Sequence, residues 1–98
     1  MRVVETSHDI GDGTKHAIRL FNQDKYDVVQ VHMKKGETLT DHHAAEEVLI
    51  VVRTGEVVFT FGEERVNVTN KTILQMDPYE EHGVEALEES DFLIIKIK

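Results

Sequence analysis

Short apolar segments alternate with polar turns along the chain, and the apolar positions recur with the two-residue period of β-strands. Residues 41–48 could begin a helix with Asp41 as its cap, but the β-branched run that follows disfavours its continuation. Eight or nine short strands are therefore predicted, at 16–21, 27–33, 48–52, 57–61, 65–68, 73–76, 83–87 and 92–97, with room for one more.

Turn residues such as Gly36, Gly55, Gly62 and Pro78 separate these segments at short, regular intervals. Many short strands with regularly spaced turns are typical of an all-β sandwich or barrel. We therefore predict an all-β fold.

Two of the predicted strands, 48–52 and 92–97, are apolar on both of their faces. A strand of this kind is expected to be buried on both sides of its sheet. One face can fill the interior of a barrel, whereas the other needs cover, most simply from a second subunit. A homodimer is therefore predicted.

The 98 residues suffice for one domain, predicted to span residues 1–98. Nineteen acidic residues outnumber eleven basic ones, giving a formal charge of −8 that disfavours binding to nucleic acid. Cysteine is absent, which excludes disulfides and thiolate metal sites. No apolar run is long enough to span a membrane and no leader pattern is present, so no membrane association and a cytoplasmic location are expected.

Candidate metal ligands are concentrated in the segment TDHHAAEEVLIVV, residues 40–52, which contains His42, His43, Glu46 and Glu47. Imidazole and carboxylate groups bind divalent transition metals. Alternate residues of a strand face the same side and adjacent residues face opposite sides. His42 and His43 therefore cannot both face inward from a regular strand.

Together, these features resemble the cupin superfamily, specifically its small single-domain members of the cupin 2 type. The resemblance covers about residues 28–97 and implies a jelly-roll barrel, also called a double-stranded β-helix. In the first cupin motif, five residues separate Gly36 from His42, and Gly55 closes the motif at the expected distance. The second motif, at about 71–86, fits through His82, with Pro78 one place from the expected proline.

The resemblance implies one divalent metal held by two histidines and a glutamate of the first motif and one histidine of the second. With the glycines as anchors, the second histidine position is Ala44 and the glutamate position is Val48, neither of which is a ligand. The second motif has Lys71 and Tyr79 at its glycine positions and Ala86 at its asparagine position. The motifs are thus degenerate.

Two other arrangements keep more ligands. If the register shifts by one residue, Asp41, His43 and Glu47 join His82 in a complete set, provided that a bulge near Gly55 absorbs the extra residue. Alternatively, His42 with a neighbouring glutamate and His82 would form the two-histidine, one-carboxylate triad of mononuclear iron sites. The glycine-anchored register is preferred because it needs no insertion.

The candidate metal ligands are therefore His42, His43, Glu47 and His82, and the candidate cofactor is Fe, Mn, Ni or Zn. In the alternative without metal, the histidines form a polar patch on an apolar wall, suited to a small polar or anionic ligand. We accordingly predict a small-molecule-binding cupin, with a metal-dependent dioxygenase, isomerase or lyase as the alternative. A sensor domain without catalysis is a third possibility, so the sequence does not decide whether the protein is an enzyme.

Overall fold

The computed structural model describes residues 1–6 and 16–98, and for His16 and residues 40–42 it describes the backbone alone. The described residues form β-strands and turns, which confirms the all-β prediction, and include no helix able to cross a membrane. The strands are β1 (His16–Asn22), β2 (Tyr26–Met33), β3 (Thr38–His42), β4 (Glu47–Thr54), β5 (Val57–Phe61), β6 (Glu64–Val68), β7 (Ile73–Met76), β8 (His82–Ala86) and β9 (Ser90–Ile97).

These strands form two sheets that pack face to face. Sheet A has the order β1-β2-β9-β4-β7 and sheet B the order β3-β8-β5-β6. All neighbouring strands are antiparallel. The crossovers between the sheets give the jelly-roll arrangement that the sequence predicts.

The eight strand segments predicted from the sequence are all present, with ends that differ by at most two residues. Strand β3 was not among them. Its sequence, TLTDH, has one apolar residue, and the strand lies at the edge of sheet B. An edge strand needs little apolar surface, so its hydrophobic signal is weak.

The hydrophobic core lies between the inner faces of the two sheets. Along β4, Val48, Ile50 and Val52 are 4%, 1% and 2% exposed. Leu49 and Val51 face the opposite side and are half-buried. The strand was predicted to be buried on both faces. Its inward side chains are buried, as predicted, whereas its outward side chains are only half-buried.

Gly55, which closes the first motif, joins β4 to β5 in a left-handed conformation with φ of 85°. A Cβ atom at this position would collide with the Ser90 hydroxyl and the Glu89 carbonyl. The Ser90 hydroxyl accepts a hydrogen bond from the Glu56 amide at 3.1 Å. The glycine thus allows two turns to pack tightly against each other at one end of the barrel.

Candidate functional site

A cavity of about 100 Å³ lies between the two sheets. Its polar lining residues are His43, His82 and Lys96. The ionisable side chains in its described wall are therefore all basic. His43 is exposed, which places the mouth of the cavity beside it. The apolar lining residues are Leu39, Ala44, Val48, Ile50, Phe59, Met76, Val84, Phe92 and Ile94.

His82 opens strand β8 and is 7% exposed. Its ring centroid lies 5.8 Å from that of Phe59 and 6.0 Å from that of Phe61. Its Nδ1 atom lies 3.1 Å from the Glu80 carbonyl oxygen. Because a carbonyl can only accept, Nδ1 carries the hydrogen, and in the neutral ring Nε2 is the acceptor.

The two adjacent histidines of the first motif are placed differently. Strand β3 ends at His42, whose Cα is the cross-strand partner of that of His82. The side chains of Asp41 and His42 lie outside the described part of the chain. His43 follows the strand and lines the cavity, with its ring centroid 6.0 Å from that of Tyr79.

Ala44 and Val48, the ligand positions of the glycine-anchored register, both line the cavity together with His82. Val48 is 4% exposed. The backbone therefore directs these two positions inward, as a metal-binding cupin would require, but both side chains are apolar. This placement matches the glycine-anchored register.

Glu47 lies on the other side of the sheet. Because Val48 and Ile50 face inward, the alternation of β4 turns Glu47 outward. There its carboxylate accepts a hydrogen bond from the Gln75 amide at 3.0 Å. The pairing of β4 with β9 does shift between Val52 and Thr54, but this irregularity comes after Glu47 and does not turn it inward.

The described side chains do not fit the complete His/Glu metal set that the motif implies. Ala44 and Val48 occupy two ligand positions, and Glu47 faces away from His82. Within residues 1–6 and 16–98, excluding the side chains of 40–42, no three His, Asp or Glu side chains are grouped as metal ligands. Among the side chains that the structure describes, those in the cavity wall that could bind a metal are the imidazoles of His43 and His82.

Tyr79 occupies a position where the second cupin motif has glycine. Its φ is 64°, a left-handed conformation that a non-glycine residue seldom adopts. Its amide donates to the Ala44 carbonyl at 2.7 Å, which joins the β7–β8 turn to the loop that carries His43. Tyr79 thus adopts a left-handed conformation of the kind that usually requires glycine.

Lys96 was not identified as a candidate from the sequence. In β9 it shares the inner face with Phe92 and Ile94, which also line the cavity. The signal was present, because Phe92, Ile94 and Lys96 are spaced by two and must face the same side of a strand. Long lysine side chains pack their methylene groups on apolar surface and keep the ammonium near water.

A polar cluster on the outer face of sheet A explains two residues that interrupt apolar strands. Arg53 forms an ion pair with Asp91 and donates to the Thr6 hydroxyl at 2.8 Å. Gln30, only 1% exposed, donates to the Thr6 carbonyl at 2.6 Å and lies 3.2 Å from a carboxylate oxygen of Asp91. Like Gln75, Arg53 therefore lies outside the cavity.

No protein-family model and no curated protein sequence matches the chain. Solved structures do. A cupin superfamily protein from Desulfitobacterium hafniense is 16% identical, with 96% of this chain and 83% of that chain covered and a TM-score of 0.80. An RmlC-like cupin from Desulfovibrio desulfuricans is 20% identical, with 96% and 97% covered and a TM-score of 0.78.

The cupin_2 domain of an XRE family transcriptional regulator from Enterobacter cloacae is similar as well. It is 17% identical, covers 87% of this chain and 97% of that chain, and has a TM-score of 0.72. At such identities the likeness establishes the fold, whereas the function depends on the site. The chain has the fold of a small cupin domain, as the sequence predicts.

Proposed function

We propose that this small cupin-type domain binds a small, largely apolar molecule in the cavity between its two sheets. The observation that carries the proposal is the cavity wall, in which apolar side chains surround His43, His82 and Lys96. An apolar pocket with a few convergent polar groups is the usual form of a small-molecule site. The polar groups would orient a ligand whose bulk is held by apolar contacts.

The size of the cavity limits the ligand. Its volume is about 100 Å³, and an engineered apolar cavity of ~150 Å³ in another protein binds benzene. The enclosed part of a ligand should therefore be about the size of a short alkyl chain or a small ring. A larger ligand would extend through the mouth beside His43.

Methyl-labelled NMR with pentanol as the probe tests this proposal. We expect chemical-shift changes at the inward residues Val48, Ile50 and Ile94 and none at the outward residues Val51 and Ile95. The two groups come from the same two strands, so each inward methyl has an outward control nearby. Changes confined to outward methyls, or no change at high probe concentration, would refute the proposal.

A second candidate function is metal-dependent catalysis of the dioxygenase, isomerase or lyase type, with Fe, Mn, Ni or Zn held by His82 together with His42 or His43. Two observations favour it over other enzymatic hypotheses: His42 and His82 are cross-strand partners, and the Nδ1–H of His82 leaves Nε2 as its ligating atom. The outward placement of Glu47 speaks against the full predicted set.

Metal content distinguishes this candidate from the first. Protein purified without chelator or affinity tag should carry close to one equivalent of metal under the second candidate, and about none under the first. His82→Ala should then abolish metal binding, whereas Glu47→Gln, on the outer face, should retain it. If no metal is present and added Fe(II), Mn(II), Ni(II) or Zn(II) does not raise the melting temperature, the second candidate is rejected.

A homodimer through the outer face of sheet A is also proposed. Leu49 and Val51 of β4 and Leu93 and Ile95 of β9 face outward and are half-buried. Cross-strand pairing makes them contiguous, because Leu49 is paired with Ile95 and Val51 with Leu93. A contiguous apolar surface of this kind favours association with a second copy.

A further inference from the structure

We propose that Lys96 makes the cavity selective for anions, so that the ligand is a small monocarboxylate whose apolar tail lies between the sheets. This inference rests on the proposed small-molecule function and names the class of molecule. Its basis is the position of Lys96 in the cavity wall. Lys96 is the cross-strand partner of Val48, which stands where a metal-binding cupin has its glutamate ligand.

The register of sheet A places Lys96 beside the altered ligand position. Val48, which stands where the first motif has its glutamate, is the cross-strand partner of Lys96 on one side and of Met76 on the other. All three residues line the cavity. The row Lys96–Val48–Met76 therefore presents one lysine and two apolar side chains to the cavity.

A buried carboxylate on the neighbouring strand is paired with a different lysine. Asp27 is the partner of Lys96 across β2 and β9, and is 7% exposed. Its Oδ1 atom is 3.0 Å from the Lys98 ammonium, with which it forms an ion pair. Among the described residues, no hydrogen bond or ion pair joins Lys96 to an acidic side chain.

The other polar groups of the wall are compatible with the same ligand. His43 can donate a hydrogen bond to a carboxylate, and His82 can do so through Nε2 when its ring is doubly protonated. Among the described lining side chains, none is acidic. A divalent cation would be repelled by the ammonium at Lys96. In a metal-binding cupin, a carboxylate side chain of the protein binds a cation. In this cavity, we propose the reverse arrangement, in which a cationic side chain of the protein binds a carboxylate of the ligand.

The test compares pentanoate with pentanamide, which share the acyl chain and nearly the same shape but differ in charge. Both dissociation constants are measured by NMR titration on the whole chain after chelator treatment. The wild type should bind pentanoate about tenfold more tightly, because a charge-assisted hydrogen bond is stronger than a neutral one. Lys96→Met should remove this preference and leave the affinity for pentanamide nearly unchanged.

Lys71→Met is the matched control, since it makes the same charge change in an exposed turn outside the cavity. It should keep the preference for pentanoate. If Lys96→Met does not fold, Lys96→Gln serves the same purpose, with circular dichroism as the check on folding.

The outcomes separate the two proposals. Equal binding of pentanoate and pentanamide by the wild type, or an unchanged preference in both Lys96 variants, overturns the anion inference and leaves small-molecule binding standing. Binding of neither compound, together with no response to pentanol, overturns the proposed function and this inference with it.

Discussion

Both faces of sheet A carry apolar side chains, but these are buried to different extents on the two faces. On the inner face, Ile50 and Phe92 are 1% exposed and pack against sheet B. On the outer face, Leu49 and Ile95 are only half-buried, and a polar cluster tethers the N-terminal Thr6 across the sheet. The fold itself thus buries the apolar side chains of the inner face, apart from those that line the cavity. On the outer face, part of the apolar surface stays exposed to solvent.

The two proposals use this difference between the faces. We propose small-molecule binding at the inner face, where Lys96 lines the cavity, and association with a second copy through the outer face. Residues two apart in β4 or β9 share a role, and adjacent residues have opposite roles.

Replacing Phe59 by alanine should produce the largest loss of stability. Phe59 is 1% exposed, and its ring packs on Phe92 with centroids 6.3 Å apart. The variant should lose about 3–5 kcal/mol of unfolding free energy, measured by urea denaturation. Ile73→Ala on the outer face, where Ile73 is 67% exposed, should change stability by less than about 0.5 kcal/mol at low protein concentration. Equal losses in the two variants would contradict the distinction between the core, to which Phe59 of sheet B contributes, and the outer face of sheet A.

The polar cluster of the outer face should contribute a smaller but clear effect. Asp91→Ala leaves the half-buried Arg53 and the buried Gln30 without a carboxylate acceptor. We expect a loss of about 2 kcal/mol in unfolding free energy. Asp24→Ala in an exposed turn is the control and should be nearly neutral. A loss no greater than that of the control would show that the cluster does not stabilise this face.

The outer-face substitution Ile95→Lys should have the smallest effect on the stability of the single chain and act on association instead. Light scattering should show a dimer for the wild type and a monomer for this variant, because a charge would be buried at the interface. Thr60→Lys, the same introduced charge on sheet B, should remain dimeric. A monomeric wild type at ~100 µM would reject the homodimer at micromolar affinity.

Most of the strands could be predicted from the local pattern of apolar residues and turn residues. Strands such as Val57–Phe61 and Ile73–Met76 were located to the residue because their apolar runs end at clear turn residues. Strand β3 was missed because Thr38–His42 has little apolar surface and pairs only at an edge.

The site was harder to predict because it depends on which way one strand faces. Between His43 and Glu47 the chain passes through a short bend, so counting residues alone could not tell whether Glu47 or Val48 would face inward. The structure turns Val48 inward. Lys96, by contrast, is predictable from its spacing to Phe92 and Ile94, but it lies outside both cupin motifs and is not among the candidates identified from the sequence.

The most direct test of the central claim, that the inner face holds a small-molecule site, is a crystal structure of the protein soaked in a bromine-labelled butanoate. The account predicts an anomalous bromine peak within about 4 Å of the side chains of Phe59, Phe92 or Ile94, with the carboxylate directed towards Lys96. A bromine peak on the outer face of sheet A, or no peak in the cavity, would contradict the central claim. An occupied cavity with the carboxylate pointing away from Lys96 would contradict only the anion inference.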